Sequence, residues 1–160
     1  MANYAGINKN DVVNGEGICV SFFMQGCPHH CSGCFNPETW DPQGGKEFTT
    51  ETMIEILTAI SANGIIRNLS ILGGEPLVDY NIELTALIVS TVKMIYPSVK
   101  VFIWTGYDMT DLTTASNPFY MNIIFNKADV LITGPFVEEK KDLTLKWRGS
   151  SNQEIHYLKI

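Results

Sequence analysis

The segment ICVSFFMQGCPHHCSGC, Ile18 to Cys34, decides the fold, because it joins a buried strand to a loop that holds three cysteines. Its first part, ICVSFFM, is almost entirely apolar, which is typical of a strand buried on both faces of a parallel sheet. Its second part places Cys27, Cys31 and Cys34 in the spacing C-x-x-x-C-x-x-C directly after that strand. The sequence therefore predicts a group of thiols at the end of a buried strand.

Composition limits the class of protein. The chain has 160 residues, of which 45% are apolar, so we expect one compact domain that spans residues 1–160. A formal net charge of -6 repels phosphate, and no basic stripe offsets it, so nucleic acid is an unfavourable partner. The first ten residues are polar, and the longest apolar segment is short for a bilayer and carries Lys93. We therefore expect no membrane association and a cytoplasmic location, where the thiols stay reduced.

Strand and helix patterns alternate along the rest of the chain. Helical patterns cover residues 49–64, 81–96 and about 118–127, and apolar strand segments with the turns that close them cover residues 68–76, 100–106 and 128–135. This order implies an α/β fold with right-handed crossovers and a parallel sheet. An eight-stranded barrel takes about 250 residues, so we expect a partial, open (β/α) barrel.

The pattern also predicts the buried face of the first helix and the character of the C-terminal segment. In the first helix the spacing predicts that Met53, Ile54, Leu57 and Ile60 form the buried face. The tail KWRGSSNQEIHYLKI, residues 146–160, is mixed in character and has no evident place in the core. It is either a docked extension or a mobile arm.

Three loops follow the predicted strands at one edge of the sheet. They are the cysteine loop, the GGEP segment Gly73–Pro76 and the TGY segment Thr105–Tyr107. Because ligands of parallel sheets bind at the carboxyl ends of the strands, we expect these loops to form one site. In the GGEP segment, two residues without side chains let backbone carbonyls approach a cationic amine, and the Glu75 carboxylate adds a charged acceptor.

Two metal sites fit the cysteine spacing. One is a structural zinc site, in which His29, His30 or Cys19 completes a tetrahedron with the three cysteines. Cys19 lies within the preceding strand, where a cysteine most often acts as a small buried apolar residue. The other is a 4Fe-4S cluster, which normally takes four cysteines, so that three would leave one iron open to an exogenous ligand.

The cysteine spacing, followed by GGEP after the next strand, resembles the radical S-adenosylmethionine (SAM) superfamily. This resemblance implies that Cys27, Cys31 and Cys34 hold a 4Fe-4S cluster and that SAM chelates the open iron. It also implies that Gly73, Gly74, Glu75 and Pro76 hold the methionine amino group. Further SAM contacts are implied for Gly33, Cys34 and Phe35 at the adenine, and for a pocket lined by Trp104, Thr105 and Gly106.

Within that superfamily the chain resembles the family of activating proteins of the anaerobic ribonucleotide reductase. The resemblance runs in order through VNGEG, CSGCFNPETW, GGEPL, WTGY and WRGSSNQ. It implies that one electron from the cluster splits SAM into methionine and a 5′-deoxyadenosyl radical, which takes hydrogen from a backbone glycine of the large reductase subunit. No side chain need act as acid or base. The implied partners are that subunit and a reducing electron donor such as flavodoxin.

Two alternatives remain at this point. A small radical SAM enzyme that acts on a free metabolite, such as one that forms a deazapurine by ring contraction, would share the cysteine and GGEP segments. A zinc-binding interaction module would share only the cysteine loop.

Overall fold

The computed structural model describes residues 2–115 and 117–159. Its seven strands form one sheet in the order β3-β1-β2-β4-β5-β6-β7. The strands are β1 (Asn3–Asp11), β2 (Cys19–Met24), β3 (Lys46–Glu47), β4 (Asn68–Gly73), β5 (Val101–Trp104), β6 (Val130–Thr133) and β7 (Glu154–Tyr157). The helices are α1 (Thr50–Ile60), α2 (Ile82–Ile95), α3 (Met109–Thr113) and α4 (Pro118–Lys127).

The centre of the sheet is parallel, which confirms the prediction from the alternating pattern. β2, β4, β5 and β6 lie side by side and run in the same direction, with Cys19 opposite Asn68 and Met24 opposite Gly73. β2 is buried on both faces, as its apolar run indicates. The loops after β2, β4 and β5 therefore emerge at one edge.

The outer strands correct the prediction of a purely parallel sheet. β1 pairs antiparallel with β2, β3 with β1, and β7 with β6, so the sheet is mixed and open. β1 was not predicted from the sequence, because only Tyr4 and Asp11 of its nine residues are buried. Without a run of buried apolar residues it shows no strand period.

All four helices contribute side chains to one apolar core on a single face of the sheet. On β2 this face carries Val20, Phe22 and Met24, and on β4 it carries Leu69 and Ile71. Helix side chains in the same core include Ile56, Ile60, Ile88, Val92, Leu112, Met121 and Ile124. On the opposite face, the apolar cluster of the described residues includes none from these four helices.

The buried face of α1 differs from the predicted one. Ile56 and Ile60 are fully buried, whereas Ile54 is 56% exposed. The helix begins at a Thr49 capping box with Thr52, which fixes where its first turn starts. The prediction for Ile54 was wrong, because the helix turns Ile56 toward the sheet and leaves Ile54, two residues earlier, on the exposed side.

The C-terminal segment is a docked extension, which is the first of the two alternatives that the sequence left open. The Trp147 ring meets Phe102 at 5.0 Å, on the sheet face opposite the four helices. β7 then pairs with β6 along its whole length, from Glu154 to Tyr157. None of the helices in the described part of the chain has both the length and the apolar character needed to cross a bilayer.

Candidate cofactor site

A cavity of about 770 Å³ lies at the edge where the loops after β2, β4 and β5 meet. This volume is within the range of small-molecule and cofactor sites, roughly 300–1,000 Å³. The three clustered cysteines all line it. The other predicted site residues on its wall are Phe35, Gly73, Gly74, Glu75, Trp104, Thr105 and Gly106. The structure thus brings together three loops that are far apart in sequence.

Two predicted site residues lie away from the cavity wall. Gly33 sits against the Glu138 carboxylate, to which a Cβ at Gly33 would approach within 2.8 Å. The Pro76 carbonyl accepts a hydrogen bond from the Thr85 hydroxyl at 2.7 Å, which ties the GGEP segment to α2. Both residues shape the loops that carry the site.

The cysteine loop is anchored by its backbone. The Gly26 and Cys27 amides donate to the carbonyls of Thr39 and Trp40 at 2.6 and 3.0 Å, so the loop closes on itself. All three loop cysteines are partly buried and none forms a disulfide. Burial raises the pKa of the Cys27 thiol to about 11, against weaker lowering by the His29 amide and a further increase from the Glu75 charge.

The candidate fourth ligands of a zinc site are engaged elsewhere. Cys19 is fully buried at the start of β2, roughly 16 Å along that strand from the cysteine loop. The His30 ring stacks on Trp40 at 4.5 Å, and the His29 ring bonds to Glu75. Within residues 2–115 and 117–159, no three side chains of His, Cys, Asp or Glu are grouped as ligands of one metal ion.

The glycine pair lets the GGEP segment pack directly on the cysteine loop. Gly73 has a φ of +117°, and a Cβ there would lie 2.6 Å from the Met24 amide nitrogen. A Cβ at Gly74 would lie 2.6 Å from the Gly26 carbonyl oxygen, which also accepts from the Glu75 amide at 2.8 Å. Only residues without side chains allow this backbone approach.

Glu75 is the most enclosed polar group of the site. Its side chain has no exposed surface. Its carboxylate accepts hydrogen bonds from the His29 ring at 2.7 Å, the Thr105 hydroxyl at 2.7 Å, the Gly106 amide at 2.7 Å and the Leu77 amide at 2.9 Å. Burial, followed by the Glu75 charge, raises the pKa of nearby Tyr107 to about 12, so that phenol stays neutral.

Aromatic side chains form much of the remaining wall. The Phe35 ring is 53% exposed and contacts Phe136 at 5.0 Å. The Trp104 indole donates to the Trp147 carbonyl at 2.7 Å, and the Trp147 indole donates to the Gly15 carbonyl at 3.0 Å. These rings provide aromatic surface on which a flat ligand could stack.

The donor set fits an iron–sulfur cluster that keeps one open position. Three thiols face one cavity, one fewer than the four that a 4Fe-4S cluster usually takes. The three thiols therefore match the protein ligands of a 4Fe-4S cluster in which one iron stays open to another ligand.

Sequence reasoning missed several residues of this site. His29 was named as a candidate zinc ligand, and its hydrogen bond to Glu75, which spans 46 positions, was not predicted. Trp40 and Trp147 occur in quoted motifs, CSGCFNPETW and WRGSSNQ, but neither carried a predicted role. Val12 and Val13 line the cavity from the β1–β2 loop, and Val13 begins the quoted motif VNGEG, which carried no predicted site role.

Comparison with known proteins places the chain among iron–sulfur proteins. Residues 13–156 match the family described as a 4Fe-4S single cluster domain. The chain is 37% identical over 150 residues to an anaerobic ribonucleoside-triphosphate reductase-activating protein of Salmonella typhi, covering 93% of this chain and 94% of that one. A protein of the same name from Escherichia coli K12 is 35% identical, and the match covers 98% of this chain and 99% of that one. Another from Enterobacteria phage T4 is 37% identical, and the match covers 96% of this chain and 92% of that one.

Proposed function

The chain belongs to the family of anaerobic ribonucleoside-triphosphate reductase-activating proteins, with a 4Fe-4S single cluster domain, and from this we propose that it is a radical SAM activase. Its substrate is a backbone glycine of the large subunit of an anaerobic ribonucleotide reductase. The observation that carries the proposal is the convergence of three thiols and the glycine-pair segment on one cavity. When bound, a 4Fe-4S cluster and SAM would supply the one-electron chemistry by which a hydrogen atom is taken from that glycine.

Cys27, Cys31 and Cys34 hold the cluster in this proposal. Their common exposure to the cavity supports the assignment. Cys19 takes no part, because it is fully buried at the far end of β2 and its thiol contacts the Glu16 carbonyl at 3.4 Å.

The GGEP and WTG segments hold SAM. Gly73 and Gly74 bring the backbone close to the cysteine loop, which places this segment within reach of a ligand bound at those thiols. Phe35 and Trp104 offer ring surface for the nucleoside. The other predicted contacts belong to the same loops. The cavity is lined by Cys34, Glu75, Thr105 and Gly106, whereas Gly33 and Pro76 lie away from its wall.

We also infer that residues 1–160 form a single radical SAM domain with a partial (β/α) barrel. Two observations support the partial barrel. The four helices pack on one face of the central strands, and the cavity reaches Phe23 and Leu72 on the opposite face. An open barrel suits a substrate that is a loop of another protein. Val13 and Leu143, on the rim of the cavity, are 73% and 72% exposed, which suits contact with such a partner. The electron donor would be a small reducing protein such as flavodoxin.

The test is an activation assay under strict anaerobiosis. The reconstituted protein is mixed with SAM, a strong reductant and the cognate reductase, and the mixture is examined by electron paramagnetic resonance. We expect a glycyl radical together with 5′-deoxyadenosine. A reductase whose radical-bearing glycine is replaced by alanine is the matched control and should give no protein radical.

Two outcomes would overturn the proposal. Cleavage of SAM that never yields a protein radical with the cognate reductase would remove the activase function. Cleavage that depends on an added small metabolite would instead favour an enzyme acting on that metabolite.

A further inference from the structure

The Glu75 carboxylate has no free acceptor site. One oxygen accepts from the His29 ring and the Gly106 amide, and the other accepts from the Thr105 hydroxyl and the Leu77 amide. A carboxylate offers about four lone-pair sites, so four donors saturate it. A SAM ammonium could bind Glu75 directly only by displacing one of these donors.

The four donors come from three different loops. His29 belongs to the cysteine loop after β2, Leu77 follows the GGEP segment after β4, and Thr105 and Gly106 follow β5. One buried side chain therefore joins the three loops that carry the site. Because the carboxylate is buried, its charged hydrogen bonds are shielded from competition by water.

His29 is held firmly in this arrangement. Its ring contacts Tyr107 edge-on at 4.6 Å. A Cβ at Gly106 would lie 2.5 Å from the same ring, so the ring packs directly on the Gly106 backbone. His29 lies midway between Cys27 and Cys31, and its ring joins the Glu75 carboxylate to the cysteine loop, in addition to the bond from the Glu75 amide to the Gly26 carbonyl.

We propose that Glu75 and His29 are positioning residues that hold the cysteine loop in register with the two SAM-binding loops. Glu75 affects SAM binding through this bridge and not through a direct contact with the ammonium group. The proposal rests on the proposed function for the identity of the ligand. The bridge itself is a property of the protein without cofactors.

A double-mutant cycle separates the bridge from a direct contact. The variants are His29→Ala, Glu75→Gln and the two combined, and the readout is the SAM dissociation constant from the spectral change of the cluster. Each single variant should weaken SAM binding roughly ten- to hundredfold, and the double variant should bind no worse than the weaker single. His29→Gln keeps a donor near the ring Nε2 position and should restore most of the affinity.

The neighbouring histidine gives a matched control. His30 stacks on Trp40 and its backbone φ is 47°, a conformation that asparagine tolerates. His30→Asn should bind SAM as the wild type does. The proposal is overturned if His29→Ala also binds SAM normally while Glu75→Gln does not, or if the two single effects multiply in the double variant.

Hydrogen exchange of the metal-free protein tests the bridge without cluster or SAM. His29→Ala should speed exchange both in residues 27–35 and in residues 104–107, and His29→Gln should reverse part of the change. Unchanged exchange in either segment would overturn the bridge. If the wild type held no cluster or bound no SAM, the proposed function would fail, and the exchange result would still decide the bridge.

Discussion

Replacement of Trp147 tests whether the C-terminal segment is a structural part of the cavity wall. The side chain makes an edge-on contact with Phe102 at 5.0 Å and donates its indole N–H to the Gly15 carbonyl at 3.0 Å. Trp147→Phe removes the hydrogen bond and should cost about 1 kcal/mol. Trp147→Ala also removes the aromatic pair and part of the burial. For this half-buried ring we expect about 2–3 kcal/mol, below the roughly 3–5 of a fully buried one.

The backbone of Trp147 adds a second expectation. Its φ of 58° lies in the left-handed region, which costs a residue with a Cβ about 1–2 kcal/mol. Glycine relieves that cost while losing about 0.5–1 kcal/mol to unfolded-chain entropy. Trp147→Gly should therefore be at least as stable as Trp147→Ala, although it removes more of the side chain.

Urea unfolding of the reduced, metal-free protein, followed by circular dichroism, measures these differences. Trp40→Phe is the matched control, because the Trp40 indole N–H has no hydrogen-bond partner within the described residues. That variant should cost less than Trp147→Phe. Equal stability of Trp147→Phe and wild type, or an equal loss in the Trp40 control, would refute the reasoning.

Two further predictions concern ionisable groups. Burial alone would raise the pKa of Asp11, but hydrogen bonds from Ser21, Asn14 and Val13 outweigh it and lower the pKa below 3.8. The stabilisation from the Asp11 carboxylate is thus present above pH 3.8 and is lost as the pH falls through the folded-state pKa. Asp11→Asn should therefore unfold more easily at pH 7, and its melting temperature should fall less steeply than that of the wild type as the pH is lowered. Parallel pH profiles of the two melting temperatures would contradict this. Burial raises the pKa of Cys27 to about 11, from 9.0 for a free thiol, which lowers the thiolate fraction at pH 8 about a hundredfold. The more basic thiolate is a stronger nucleophile, so iodoacetamide should label Cys27 roughly tenfold more slowly in the folded metal-free protein than in the unfolded chain. Equal rates would contradict the burial of the thiol.

The central strands and the edge that carries the site could be predicted from the sequence because their signals are local. The apolar run before Gln25 marks β2, and the glycines at Gly73 and Gly74 mark the end of β4. In a parallel sheet the carboxyl ends of neighbouring strands must meet, so three motifs were enough to place three loops together.

The parts that could not be predicted depend on contacts between distant residues. β1 is polar on most of its length and becomes a strand only by pairing with β2. Trp147 has a left-handed backbone, and its ring contacts Phe102 and Gly15, which are distant in sequence. The bond between His29 and Glu75 joins two loops that no short-range pattern relates. Sequence spacing predicts which residues share an edge of the sheet, but not which of them bond to each other.

The most direct test of the account is the anaerobic iron and sulfide content of the reconstituted protein and three variants, with a spectrum before and after SAM. We expect about four irons per wild-type chain, a spectral change on addition of SAM, and loss of the cluster in Cys27→Ala and Cys34→Ala. Cys19→Ala should keep both the iron and the response to SAM, because that thiol is buried at the opposite end of β2. A folded wild-type protein with stoichiometric zinc and no iron, or loss of the cluster on replacement of Cys19 alone, would contradict the account.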